Sequence, residues 1–247
     1  MIAWYDINGK KYNSIDGFVD AYKKYYSDNS AKLKPHGKAV RVFNKDFNWD
    51  FDLHDRLGKD GVQSVADLRD IIEWKTGWKF DKKTTMFTPQ YATENEKQKS
   101  FSSFFDAIIR EIHMCSFSDI SSCENAKEAF KRLYAIKENS KNDAKGIGPV
   151  YILSILYFLS KFEWPVYDRY AHIACIAIRN NIAPPSRVKY VPPDGSFIDW
   201  VWDDYQEYCD LLCQIFGTHS IKRDDDIALW VYGHCFNHKI PAKKILS

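Results

Sequence analysis

The run from Val150 to Phe162 is apolar on nearly every side, interrupted only by Ser154, Ser160 and Lys161. A helix without a polar face must be enclosed by other elements, so this segment predicts a helix in the middle of a fold. It is too short to span a bilayer. Its borders are punctuated: Gly146-Ile147-Gly148 precedes it, Pro149 stands at the first helical position, and Pro165 stops it before Asp168 opens the next helix.

The chain has the means to build such an enclosure. With 247 residues, 45% of them hydrophobic, it can bury a sizeable core, either as one compact domain or as two closely packed lobes. The pattern predicts a mainly α protein, with an N-terminal region over 1–99 packing on a helical core over 100–247. Residues 1 to about 60 mix aromatics with Gly, Asn and Asp, and Lys38 to Phe43 reads as a short strand or an extended loop. Ser64 is placed to cap a helix running to Trp74, with Gly77 near its end. The polar stretch 79–99 reads as a connecting loop. Helical spacing then marks 101–114 and 124–137, followed by helices from Asp168 to about Asn181, over 197–216 and over 224–238. Asp224, Asp225 and Asp226 open the last of these, where a helix dipole favours negative charge.

Charge and cysteine usage narrow the classes. A formal net charge of +2 gives no global field for a polyanion, so any nucleic-acid contact must come from local basic patches and backbone donors. Six scattered cysteines form no disulfide framework and read as reduced core thiols, and the N-terminal residues carry no signal-like apolar run. The expectation is a soluble cytoplasmic protein, monomeric and without membrane contact.

A Gly-x-Gly turn between two helices points backbone N–H groups outward, and such donors at a helix N-terminus suit a phosphate. The helix over 124–137 would be the first arm of this hairpin, with Lys137, Lys141 and Lys145 near its turn. Candidate backbone-binding residues are therefore Lys145, Gly146, Ile147, Gly148 and Val150.

This arrangement, over residues 145–174, resembles the helix-hairpin-helix superfamily of DNA base-excision glycosylases, the adenine-glycosylase and 8-oxoguanine-glycosylase group. There a Leu-Pro-Gly-hydrophobic-Gly hairpin leads into a buried helix, and a catalytic aspartate follows a Pro-containing loop. Gly146-Ile147-Gly148 matches the hairpin core and Pro165-Val166-Tyr167-Asp168 matches the loop. Asp168 lies 22 residues after Gly146, the interval expected of the adenine-glycosylase branch. Ala144-Lys145 departs from the usual Leu-Pro. Val150 holds the position of the nucleophilic lysine in bifunctional members and cannot form a Schiff base, so the resemblance implies a monofunctional enzyme. Cys209, Cys213 and Cys235 do not supply the four grouped thiolates of the iron–sulfur branches, so no cofactor is expected.

On that resemblance the partner is double-stranded DNA with a flipped-out base, and Asp168 is the catalytic residue. Breaking an N-glycosidic bond builds positive charge on the sugar, which a carboxylate can stabilise while it orients water. The base must first leave the stack. Aromatic residues, 16% of the chain, offer stacking partners in Trp49, Trp164, Tyr167 and Tyr170, although core packing is their commoner use. The substrate base, damaged, mismatched or enzymatically modified as in phage genomes, is left open, and with it a role in repair or in phage defence. His172, one turn after Asp168, reads as structural. His234 and His238 stand four apart without the remaining ligands of a known pattern, so no metal is assigned. Asp203-Asp204 and Asp224 to Asp226 read as solvated helix ends. Two rival readings stand beside the enzyme: a non-catalytic DNA-binding module built on the same hairpin, and a helical protein-interaction domain.

Overall fold

The computed structural model describes residues 2–6, 8–29, 47–88, 99–140, 143–191, 193 and 198–236. The chain is mainly α-helical, as the periodicity predicts. The stretch Lys38 to Phe43 lies outside the described residues, as do Lys141 and His238. The chain divides into two compact units, Met1–Val42 with Pro165–Ser247, and Phe43–Trp164. That division does not follow the 99/100 boundary.

The unit over Phe43–Trp164 is built from α2 (Phe47–Asp60), α3 (Val65–Thr76), the strands β1 (Lys79–Asp81) and β2 (Met86–Thr88), α4 (Ser102–His113), α5 (Cys123–Asn139) and α6 (Pro149–Leu159). α6 is its axis. Ile152 to Phe158 are all buried, which is what a helix without a polar face requires. Ser160 ends it, and the chain then turns through Lys161 and Phe162 at positive φ. α3 begins as expected: the Ser64 side chain accepts from the Asp67 N–H, the Asp67 carboxylate returns to the Ser64 N–H, and Gly77 closes the helix in the left-handed conformation. His54 of α2 packs among Trp74, Phe158 and Phe162 as a core residue.

The polar stretch after Gly77 is not wholly a loop. β1 and β2 pair antiparallel with Phe80 opposite Phe87, and Phe87 exchanges backbone bonds with Lys99 at 2.6 and 3.1 Å. Strands of three residues are too short to show a period.

The other unit contains α1 (Ile15–Asn29), α7 (Arg169–Arg179), α8 (Ile198–Phe216) and α9 (Arg223–Gly233). α1 stands where the sequence reading expects irregular structure. Its Phe18 and Tyr22, four residues apart, meet Tyr232 of α9 with ring centroids at 5.1 and 5.2 Å, so the two ends of the chain share one core. α7 packs on both α8 and α9, and its buried face runs through Ala171, His172, Ala174, Cys175 and Ile178. No helix among the described residues is long and apolar enough to cross a membrane.

Candidate functional site

The hairpin forms between α5 and α6. Ser140 caps α5, its carbonyl accepts from Asp143 and Ala144 at 2.9 and 2.7 Å, and the Ile147 N–H donates to Ala144 at 3.0 Å. Ile147 is 2% exposed, so its side chain anchors the turn and its amide is spent within it rather than offered to a ligand. Gly146 adopts φ +100°, a region that only glycine enters at no cost. Gly148 is different: its φ of −91° and ψ of 172° are ordinary extended values, and it serves as the N-cap of α6. A Cβ there would meet nothing within 4 Å. Pro149 has no N–H, which leaves Gly148 and Val150 as the outward donors of the first turn.

The cations around this turn are only partly those expected. Lys145 is exposed. Lys137 pairs with Glu138 and lies 5.0 Å over the Tyr134 ring, so it faces along α5. Lys99, read in the sequence as part of a loop, reaches the turn: its Nζ would sit 2.4 Å from a Cβ on Gly146 and lies 5.1 Å over Trp78. The backbone pairing of Lys99 with Phe87 holds it near the turn.

Asp168 is the N-cap of α7, in extended conformation and half-buried. Its Oδ1 accepts from the Tyr170 N–H at 2.8 Å, so the carboxylate sits at the positive end of the helix dipole. The Pro165-Val166-Tyr167 segment before it is buried, and the Tyr205 hydroxyl donates to the Pro165 carbonyl at 2.8 Å. The loop that delivers Asp168 is therefore fixed.

Beside Asp168 in the same unit lies a buried polar cluster. Tyr167 donates its hydroxyl to Asp204 Oδ2, Tyr190 donates to the same oxygen at 3.2 Å, and the two hydroxyls are 2.5 Å apart. His172 is fully buried, with Nδ1 3.4 Å from the Tyr167 hydroxyl and 3.7 Å from Asp204 Oδ2. Burial drives both phenols far above their ordinary pKa; for Tyr190 the charges of Asp204 and Asp168 add to it. Both therefore remain hydrogen-bond donors at neutral pH.

Several sequence expectations change here. Asp204 is not a solvated helix end: it lies within α8, with its side chain 9% exposed. Its partners, Tyr167 and Tyr190, are remote in sequence. Tyr167 is buried and engaged with Asp204. Trp164, 3% exposed, donates its indole N–H to the Ile120 carbonyl at 2.6 Å. Neither is placed to stack on a base. Tyr170 stacks on His234 with centroids 3.6 Å apart. The side chain of Trp49 lies outside the described residues. Asp226 is buried and paired with Arg223, while Asp224 pairs with Lys23 at 2.6 Å.

Comparison with protein-family models, with curated proteins and with solved structures returns no match. The functional reading rests on the residues themselves.

The arrangement can do two things chemically. The α6 N-terminus has two outward N–H groups, an exposed Lys145 and open space over Gly148, a combination that suits an anion. The α7 N-terminus holds a half-buried carboxylate on a fixed loop, backed by two phenols and a histidine, and suits a group that develops positive charge.

Proposed function

We propose that the chain is a monofunctional DNA glycosylase that hydrolyses the N-glycosidic bond of a flipped-out base. The observation that carries this reading is Asp168 itself, a half-buried carboxylate held at the N-terminus of α7 by an immobilised Pro-containing loop. It follows in sequence a hairpin whose second helix opens at Gly148 with no side-chain cap. In this reading Gly148 and Val150, with Lys145 and Gly146 beside them, hold a backbone phosphate. Asp168 stabilises the oxocarbenium-like sugar and orients the water that attacks it. Val150, at the second position of α6, offers no amine for a covalent step, so the product is an intact abasic site.

Base release from duplexes carrying damaged, mismatched and phage-type modified bases, measured for wild type and Asp168→Asn, tests this. The expected result is strand breaks that need alkali and are lost in the variant, while DNA binding is retained. Breaks without alkali would overturn the monofunctional assignment. DNA binding with no base release from any substrate would instead favour a binding module.

A further inference from the structure

The buried cluster around His172 points to a second chemistry, independent of the glycosylase reading. His172 is wholly enclosed, yet Nδ1 makes only a 3.4 Å contact with the Tyr167 hydroxyl, and Nε2 has no hydrogen-bond partner among the described residues. A buried polar atom poorly served costs about 1–3 kcal/mol, and on the Asp204 side it is Nδ1, held only by that long contact, that can take a further partner. Asp204 and Glu207 are three apart on α8, which places both carboxylates on the side of the helix that His172 faces.

One ligand atom from each of His172, Asp204 and Glu207 lies within 4.8 Å of the others. The 3.7 Å between His172 Nδ1 and Asp204 Oδ2 is too long for a hydrogen bond. It is close to the separation of two donors sharing one cation, since metal–nitrogen and metal–oxygen bonds of about 2.0–2.2 Å set tetrahedral ligand atoms about 3.4 Å apart. Glu207 is exposed and can close the remaining gap by a rotamer change. The Tyr167 and Tyr190 hydroxyls both donate to Asp204 Oδ2, which orients that carboxylate. Outer hydrogen bonds of this kind are what fix a ligating carboxylate.

We propose that His172, Asp204 and Glu207 form a binding site for one divalent first-row transition-metal cation, Mn2+ to Zn2+ in class, that ties α7 to α8. An imidazole with two carboxylates and no thiolate favours these ions over Mg2+ and Ca2+, which prefer oxygen alone. Three protein ligands leave at least one position for water. The cation would lock the register of the helix whose N-cap is Asp168.

The test is titration of chelator-treated protein with Mn2+, reading free ion by its electron paramagnetic resonance signal and following thermal unfolding in parallel. Mn2+ is the probe because the exposed Cys213–His219 pair, 3.7 Å apart, would take up Zn2+ adventitiously. The expected result is one equivalent bound and a raised unfolding temperature. Glu207→Gln, on an exposed side chain and safe for folding, is expected to weaken binding more than about tenfold. His172→Ala is expected to abolish it. Less than one equivalent, unchanged affinity in Glu207→Gln, or equal binding of Mg2+ would each overturn the site.

Discussion

Asp143 caps α4 across 40 positions of sequence: its Oδ2 accepts from the Ser103 N–H at 2.8 Å and from the Ser103 hydroxyl at 2.9 Å. α4 needs this help because its own N-cap, Phe101, is left-handed at φ 56° and makes no side-chain cap. Oδ1 of the same carboxylate accepts from the Ser100 hydroxyl at 2.7 Å. The residue that enters the hairpin turn thus also holds the start of a neighbouring helix. Asp143→Ala is expected to cost about 1–2 kcal/mol, as loss of a cap does. Asp143→Asn, which keeps an acceptor oxygen, should cost less. Urea unfolding of the two variants checks the order, and equal losses would argue against the cap.

The two glycines of the hairpin are expected to respond differently. Gly146 combines φ +100° with Lys99 Nζ at 2.4 Å from a virtual Cβ, so Gly146→Ala strains the backbone and displaces Lys99. About 1 kcal/mol or more of stability should be lost. Gly148 has ordinary dihedrals and open space, so Gly148→Ala should leave the unfolding midpoint unchanged. If a phosphate approaches that space, the same methyl group weakens DNA binding. A stability measurement paired with a binding titration at low salt separates the two effects, and intact binding by Gly148→Ala would remove the phosphate from this turn.

What could be read from the sequence was local. α6 declares itself through apolar residues on every face, α3 through Ser64 and Gly77, and Asp168 through its place after Pro165. α1 was missed, although Phe18, Tyr22 and Tyr26 recur at intervals of four. The glycine, asparagine and aspartate around them masked that period. What escaped was set by partners distant in the chain. Asp204 has the sequence context of a solvated acid and becomes a buried acceptor because Tyr167 and Tyr190 arrive from other segments. Lys99 reaches Gly146 through a strand pairing too short to carry a pattern.

Gly233, at the end of α9, is where that helix lies directly on α7. A Cβ there would sit 1.8 Å from the Tyr170 carbonyl oxygen and 2.4 Å from its carbonyl carbon. Both atoms are backbone, so no side chain can turn aside to make room. Gly233→Ala is therefore expected to cost at or above the top of the roughly 1–3 kcal/mol range of overpacking substitutions. The melting temperature should fall by several degrees. The change also pushes on the first turn of α7, two residues beyond Asp168, so the base release proposed for Asp168 should fall in the protein that remains folded. A variant with wild-type stability would show that the two helices do not meet so closely.

Asp67 gives the fold a defined acid sensitivity. Burial opposes its charge, but the Gln63 N–H, the Arg56 guanidinium, and the Ser64 hydroxyl and N–H outweigh that and hold its pKa below the ordinary carboxylate value. A carboxyl group whose pKa is lower when folded contributes its stability above the unfolded value, about 3.9, and loses it as pH falls through the folded value. Asp67 should therefore contribute progressively less stability as pH falls below about 4. Asp67→Asn removes the titration and also weakens the α3 capping box, so it should be less stable than wild type at pH 7, with a smaller gap at pH 3. Urea midpoints of both proteins at the two pH values decide the matter: a gap of the same size at pH 3 would show that Asp67 holds no excess charge stabilisation in the fold.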